Sequence, residues 1–311
     1  MRKIRIGTRE SQLAVWQAEQ VKKLLAENGF ESEMVFIKSE GDVDLVTPLY
    51  EIGVQGIFTR SLDAALLNDR IDIAVHSMKD VPTQLPNGIS QAAVLKRGPV
   101  NDLLVFKNDA ALKKYSHLTT HNSQFTVATS SIRRKAQWLN KFPDHLIENL
   151  RGNVNTRLRK LQEENWDAAI FAQAGLERIN LRPENSIVLD WMLPAPAQGA
   201  IVVVCREDDP FSFDACNKFN HEETALCTKI ERDFLRQLLG GCSTPISGYA
   251  EVRNGNVHFK GNVLALNGGK KLEVEGSADI HNANDLGIRS AVTILQKGGL
   301  ELTEEIRHAA K

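Results

Sequence analysis

Residues 3–7 (KIRIG) alternate apolar and polar positions like a strand. Leu13, Val15, Trp16, Val21, Leu24 and Leu25 then recur at helical spacing within 11–28, and Gly29 follows as a natural stop. Short apolar strands are expected at 34–38, 71–76 and 92–95, with a helix at 58–68, and strands that alternate with helices imply parallel pairing. The alternation restarts after Gly98-Pro99, with strands at 103–106, 125–128, 147–150 and 168–172 and helices at 132–140 and 154–162. Leu193-Pro194-Ala195-Pro196 looks like a crossing linker. The run 201–205 (IVVVC) beyond it suits a strand buried on both faces, which is placed back in the first sheet. From His221 the texture changes to one long amphipathic helix, three alternating segments (246–252, 257–266, 271–278) broken by Asn254-Gly255 and Gly268-Gly269, and a helix at 285–296.

Composition narrows the class. The chain has 311 residues, 42% apolar and 25% charged, and its 38 Lys and Arg nearly balance 39 Asp and Glu. At roughly 150 residues per domain this suggests two or three domains with real cores, and it excludes disorder, collagen and coiled coil. No apolar run approaches the about 18 residues that span a bilayer, and the start is a charged strand, so a cytoplasmic protein without membrane contact is expected. Cys205, Cys216, Cys227 and Cys242 form no C-x-x-C pair, so neither a disulfide framework nor a metal site is indicated. A net charge of −1 argues against nucleic acid as a partner, yet residues 131–160 hold eight basic side chains against two acidic ones. That local surplus suits a small anion or a solvated face.

Three strand-to-helix junctions share one composition: Thr8-Arg9-Glu10-Ser11, Thr129-Ser130-Ser131-Ile132-Arg133-Arg134 and Arg151-Gly152-Asn153-Val154-Asn155-Thr156-Arg157. Each puts a capping side chain at a helix start, with arginine within about a turn. Unpaired helix N–H groups and guanidinium forks both grip carboxylates. Any one junction read alone is a capped helix with a solvent-facing arginine. Repeated at the carboxyl edges of two sheets, the three would form a socket for a polycarboxylate or a phosphate compound. His76-Ser77-Met78-Lys79-Asp80-Val81-Pro82 ends another strand with fixed acid/base candidates, of which Asp80 would stabilise a developing cation. Cys242 follows two glycines that permit close approach, so its sulfur could be alkylated, although a buried free thiol is the alternative. A cysteine hydrolase built on Cys242, His76 and Asp80 is the weaker enzymatic reading.

Over essentially its whole length the chain resembles the porphobilinogen deaminase family, also called hydroxymethylbilane synthases. The matching strings are Thr8-Arg9 with Ser11, Trp16-Gln17-Ala18, Gly41-Asp42, His76 to Pro82, Thr129 to Arg134, Leu150-Arg151-Gly152-Asn153 with Thr156-Arg157-Leu158, Ala174-Gly175-Leu176 with Arg178, Gln198-Gly199-Ala200 and Gly240-Gly241-Cys242. The resemblance implies a transferase that joins four porphobilinogen molecules head to tail, releasing ammonia each time, and then frees linear hydroxymethylbilane for haem and related tetrapyrroles. It implies a dipyrromethane cofactor held through a thioether on Cys242. Asp80 would be the catalytic carboxylate. Lys79, Asp80, Ser131, Arg133 and Arg134 would hold the cofactor, and Arg9, Ser11, Arg151, Arg157 and Arg178 the substrate. The expected fold class is α/β, with two periplasmic-binding-protein-like α/β domains around a cleft and a small C-terminal α+β domain. The expected domains are 1–98 with 199–217, 99–198 and 218–311, in a monomer.

Three positions depart from the family pattern. Gln55 and Glu51 stand where many relatives carry lysine, in a segment like the family's mobile loop, and Ala197 stands where glycine is common, so that a changed turn is expected. A non-catalytic carboxylate-binding protein of the periplasmic-receptor type is the other reading, because two α/β domains with anion-binding helix ends describe it too.

Overall fold

The computed structural model describes residues 2–38, 59–117, 124–238 and 244–309. Its first sheet begins with β1 (Ile4–Thr8), which feeds α1 (Gln12–Glu27) and β2 (Ser32–Phe36). Next come α2 (Arg60–Leu67), β3 (Ile73–Ser77), a 3-10 turn at Met78–Asp80 and β4 (Ile89–Val94). Gly29 takes φ +82°, the left-handed stop expected after α1. The chain then crosses to a second sheet through β5 (Asp102–Phe106), α3 (Asp109–Ser116), β6 (Thr126–Ala128), α4 (Ile132–Lys141) and β7 (Leu146–Glu148). α5 (Val154–Glu163), β8 (Ala168–Ala172), α6 (Gln173–Glu177) and β9 (Ser186–Leu189) complete it. β10 (Ile201–Arg206) returns to the first sheet and is followed by α7 (Pro210–Asn217).

The two sheets have corresponding strand orders, β2-β1-β3-β10-β4 and β7-β6-β8-β5-β9. In each, the fourth strand is the one that has just crossed over. β10 runs antiparallel to β3 and β4, and β5 antiparallel to β8 and β9, which corrects the expectation of parallel pairing. The remaining strand pairs within these sheets are parallel. A strand that enters from the neighbouring sheet arrives without the helical crossover that would have reversed its direction. β10 is buried through Ile201, Val202, Val203, Val204 and Cys205, as its continuous apolar run demands of a strand covered on both faces. α1 and α7 cover one face of the first sheet and α2 the other. The second sheet is likewise covered on both faces, through Trp138 of α4 on one and Leu161 of α5 on the other.

The crossing segments lie backbone to backbone. Gly98 N–H donates to Gly199 O at 3.0 Å, and a Cβ on Gly199, at φ +85°, would stand 2.7 Å from the carbonyl oxygens of Gly98 and Pro99. Ala197, where glycine is common in the family, adopts φ +61° and is fully buried. The turn therefore keeps a left-handed conformation that costs an L-residue roughly 1 kcal/mol or more.

The C-terminal portion packs α8 (Glu222–Gln237) against an antiparallel sheet of β11 (Ile246–Arg253), β12 (Asn256–Leu264) and β13 (Lys271–Asp279). α9 (Leu286–Ile294) and α10 (Leu300–Ala309) close its core. Asn254 and Gly255 both have positive φ, the signature of the tight hairpin expected there. This portion grips the crossing segments. The fully buried Glu231 accepts from Nη1 and Nη2 of Arg97 (2.6 and 2.9 Å) and from the backbone N–H groups of Ala197 and Ala250 (2.6 and 2.7 Å). Arg232 donates to the carbonyls of Val81 and Pro82 at 3.0 and 2.6 Å, just beyond the Met78–Asp80 turn.

Candidate active site

All of the candidate junctions within the described residues lie at carboxyl ends of parallel strands, where open α/β sheets place their ligands. After β1, Ser11 caps α1 by accepting the Ala14 N–H at 3.4 Å. After β6, Ser131 caps α4 by accepting the Arg134 N–H at 3.5 Å. After β7, Asn153 caps α5 by accepting the Thr156 N–H at 3.0 Å. The three caps follow the pattern read from composition, because short oxygen-bearing side chains satisfy orphan helix donors.

Contacts between the sheets bring these ends together. Asn155 in the first turn of α5 donates to Gln12 Oε1 at the start of α1, 3.1 Å away. Arg178, just after α6, donates to Gly199 O at 2.7 Å and stands 5.5 Å from the centre of the Trp16 ring on α1. Arg157 Nε donates to Gly152 O at 2.7 Å, and its charge feels Arg134, Asp80 and Arg151. Burial, with Arg134 next in effect, lowers its pKa to about 10, and burial alone lowers that of Arg178 to about 10; both stay cationic at neutral pH.

Around Asp80 the surface is a small polar pocket lined by Arg9, Gln17, Thr59, His76 and Ser77. Gln17 Nε2 donates to Ser77 Oγ at 2.8 Å. His76 is 6% exposed, and among the described residues its Nε2 has no hydrogen-bond partner. Burial and the charge of Arg9 push its pKa down to about 3, so the imidazole is neutral at physiological pH. Lys79 is half-buried and donates to Gln198 Oε1 at 3.4 Å. Burial lowers its pKa to about 8, with Arg134 acting in the same direction and Asp80 opposing.

Arg133 and Arg134 differ from solvent-facing arginines. They are 4% and 5% exposed, and their guanidiniums share the carboxylate of Asp102, the first residue of β5. Arg133 Nη2 reaches Asp102 Oδ2 at 2.7 Å, and Arg134 Nη2 reaches Oδ1 at 2.8 Å. Leu193 O and Ile170 O accept further donors at 2.8 and 2.9 Å, while Arg134 Nε is buried without a partner among the described residues. Both arginines hold Asp102 ionised, its pKa well below the usual carboxylate range despite its burial. Composition did not reveal Asp102. An aspartate before an apolar run reads as an ordinary strand start, and only the fold shows which cations it meets.

The remaining sequence candidates divide by location. Arg151 is almost fully buried at the end of the loop after β7. Cys242 lies outside the described residues, as do Gly41-Asp42, Glu51 and Gln55. Cys205, Cys216 and Cys227 are buried and free, and burial raises all three thiol pKa values, that of Cys227 to about 12. Among the described residues no cluster of His, Cys, Asp and Glu is arranged to hold a metal ion, and no helix is long and apolar enough to cross a membrane.

In comparisons with known proteins, residues 4–213 match the family model "Porphobilinogen deaminase, dipyromethane cofactor binding domain", and residues 225–296 match "Porphobilinogen deaminase, C-terminal domain". The porphobilinogen deaminase of Listeria monocytogenes serotype 4a (strain HCC23) is 40% identical over 314 residues, covering 99% of both chains. That of Chlorobium phaeobacteroides (strain BS1) is 38% identical over 314 residues, covering 98% of both. Among solved structures, an ancestral cationic amino acid solute binding protein aligns with 70% of this chain and 87% of its own at 13% identity, with a TM-score of 0.44. The chain belongs to the porphobilinogen deaminase family, the transferases that assemble hydroxymethylbilane from porphobilinogen on a dipyrromethane cofactor for tetrapyrrole synthesis.

Proposed function

We propose that Asp80 is the catalytic carboxylate of this condensation and that the cations facing it hold the acid side chains of cofactor, substrate and growing chain. One observation carries this reading: Lys79, the neighbour of Asp80, donates to Gln198, which donates in turn to the Asp102 carboxylate shared by Arg133 and Arg134, so the turn bearing Asp80 meets the arginine-bearing edge of the second sheet. When ammonia leaves porphobilinogen, the ring system left behind is electron-poor. A fixed anion aimed at that developing charge lowers the barrier without reorganisation. Asp80 also offers an acceptor to pyrrole N–H groups. Neutral His76 can exchange a hydrogen bond with the substrate at Nε2 without adding a second charge beside Arg9.

The dipyrromethane group fits the residues present. Its two pyrroles carry two carboxylates each, and the site supplies Lys79, Arg133 and Arg134, the Ser131-capped helix start and the buried, unpartnered Arg134 Nε. When bound, the group supplies the nucleophilic pyrrole carbon from which the chain grows. Arg9, Ser11, Arg151, Arg157 and Arg178 are assigned to substrate carboxylates, and Cys242 to the thioether. A tether keeps successive encounters positioned. The units 1–98 with 199–217, 99–198 and 218–311 then divide the labour into acid, cation and anchor. We assign the working protein as a cytoplasmic monomer acting on free porphobilinogen, with no nucleic-acid partner.

The test is the intact mass of the purified protein. It should exceed the sequence mass by two linked pyrroles, and Cys242→Ser should lack the increment. Unmodified wild-type protein that still turns over porphobilinogen would refute the anchor.

A further inference from the structure

Asp102 meets three donors from two places. Arg133 and Arg134 come from the first turn of α4, and Gln198 Nε2 reaches Oδ1 at 2.9 Å from the returning crossing segment. Gln198 also donates to Val100 O at 2.7 Å, on the outgoing segment, and its Oε1 accepts from Lys79. Asp102 and Gln198 are 0% and 1% exposed. One carboxylate and one amide therefore link the lysine next to Asp80 in the first sheet to the arginine pair of the second, through both crossing segments. Arg133 and Arg134 are consecutive on a helix, about 100° apart around its axis, yet both guanidiniums reach one common anion at the start of β5. With two cations on one buried carboxylate and Lys79 one amide away, the cluster retains net positive charge for anionic ligands.

We propose that Asp102 is a positioning residue of the reaction, setting the orientation of Arg133 and Arg134 toward the carboxylates of the cofactor and of the chain built on it and, through Gln198, registering them with Lys79 and Asp80. The proposal rests on the reading above that these arginines hold ligand carboxylates. A purely structural ion pair would behave differently when broken. It would lower the folded, active fraction, and hence kcat, while leaving the KM of surviving enzyme unchanged. A positioning role raises KM, because a cofactor held by cations that are no longer aimed offers the incoming porphobilinogen a displaced partner.

The experiment measures kcat and KM for porphobilinogen, the pH profile and the as-purified mass in Asp102→Asn, Gln198→Met and Arg134→Leu, each checked for folding by circular dichroism. Asp102→Asn should raise KM at least tenfold with kcat changed less than threefold, and should move the basic limb of the profile to lower pH as Lys79 loses a nearby anion. Gln198→Met should raise KM about threefold. An unchanged KM in folded Asp102→Asn, alongside a raised KM in Arg134→Leu, overturns the proposal alone. An unchanged KM and mass increment in Arg134→Leu instead removes the underlying reading of the arginines. Should Asp102→Asn fail to fold, Gln198→Met decides: a raised KM supports the coupling, and a wild-type KM overturns it.

Discussion

The two α/β halves of this protein share a strand order and a crossing strand in the same position, yet their carboxyl edges carry different chemistry. The first sheet ends in a pocket with one carboxylate, Asp80, and a buried neutral imidazole. At the corresponding place on β8, the position of His76 is taken by Phe171, a core residue; both are the fourth residue of their strand and both face the crossing strand. The second sheet instead gathers Arg133, Arg134, Arg151 and Arg157 at its helix starts. Topology thus fixes where a ligand can sit, and the side chains at each edge decide which charge it meets. A reaction that expels ammonia from a polycarboxylate needs both: an anion beside the reacting carbon and cations along the substituents.

The comparison breaks if the two edges prove interchangeable. The largest effect is expected at Asp80. Asp80→Asn should lower turnover by roughly 100-fold or more while retaining the fold, the mass increment and a KM within a few-fold of wild type. Steady-state kinetics and intact mass read this, and near-normal turnover would take Asp80 out of the chemistry.

The next effect concerns stability. The pKa of folded His76 is about 3, against roughly 6.5 in an unfolded chain, so below pH 6.5 the unfolded state takes up a proton that the folded state refuses. Stability should therefore fall as pH drops from 7 toward 3, by about 2 kcal/mol at pH 5 from this residue. His76→Leu, which makes the first sheet more like the second, should flatten the pH dependence of the urea midpoint. An unaltered slope would show that the folded protein protonates this imidazole as readily as the unfolded chain does.

A smaller change is expected on the cationic edge. Arg157→Leu should cost about tenfold in kcat/KM, the worth of one charge-assisted contact, with partly elongated species accumulating in the mass spectrum. Undisturbed elongation would leave Arg157 a helix-end arginine whose bond to Gly152 O has a structural role. The smallest effect tests the returning crossing segment between the halves. Ala197→Gly relieves a left-handed alanine but also removes a buried methyl group, so thermal unfolding should register a change within about 1 kcal/mol of zero. A larger loss would mean that the methyl packing outweighs the backbone strain.

Much of this was legible in the chain because it is local. The helix caps Ser11, Ser131 and Asn153, the left-handed stop at Gly29, the Asn254-Gly255 hairpin and the double-sided burial of 201–205 each follow from a few neighbouring residues. The motif strings carried the family and with it the candidate residues. α3, α6, α7, β9 and α10 went unread, since short or weakly periodic segments become elements only when something packs on them.

What the sequence by itself determined was the type and order of the main elements, the residues at each junction and the surplus of arginine in one stretch. Only the tertiary structure decided that β5 and β10 run against their neighbours, that Asp102 lies between two guanidiniums and that Gln198 links Lys79 to it. It also decided that His76 is neutral, since that follows from burial and from Arg9, 67 positions away in the chain. The reason is common to all of these. Hydrogen bonds and charges depend on distance in space, and composition records only distance along the chain.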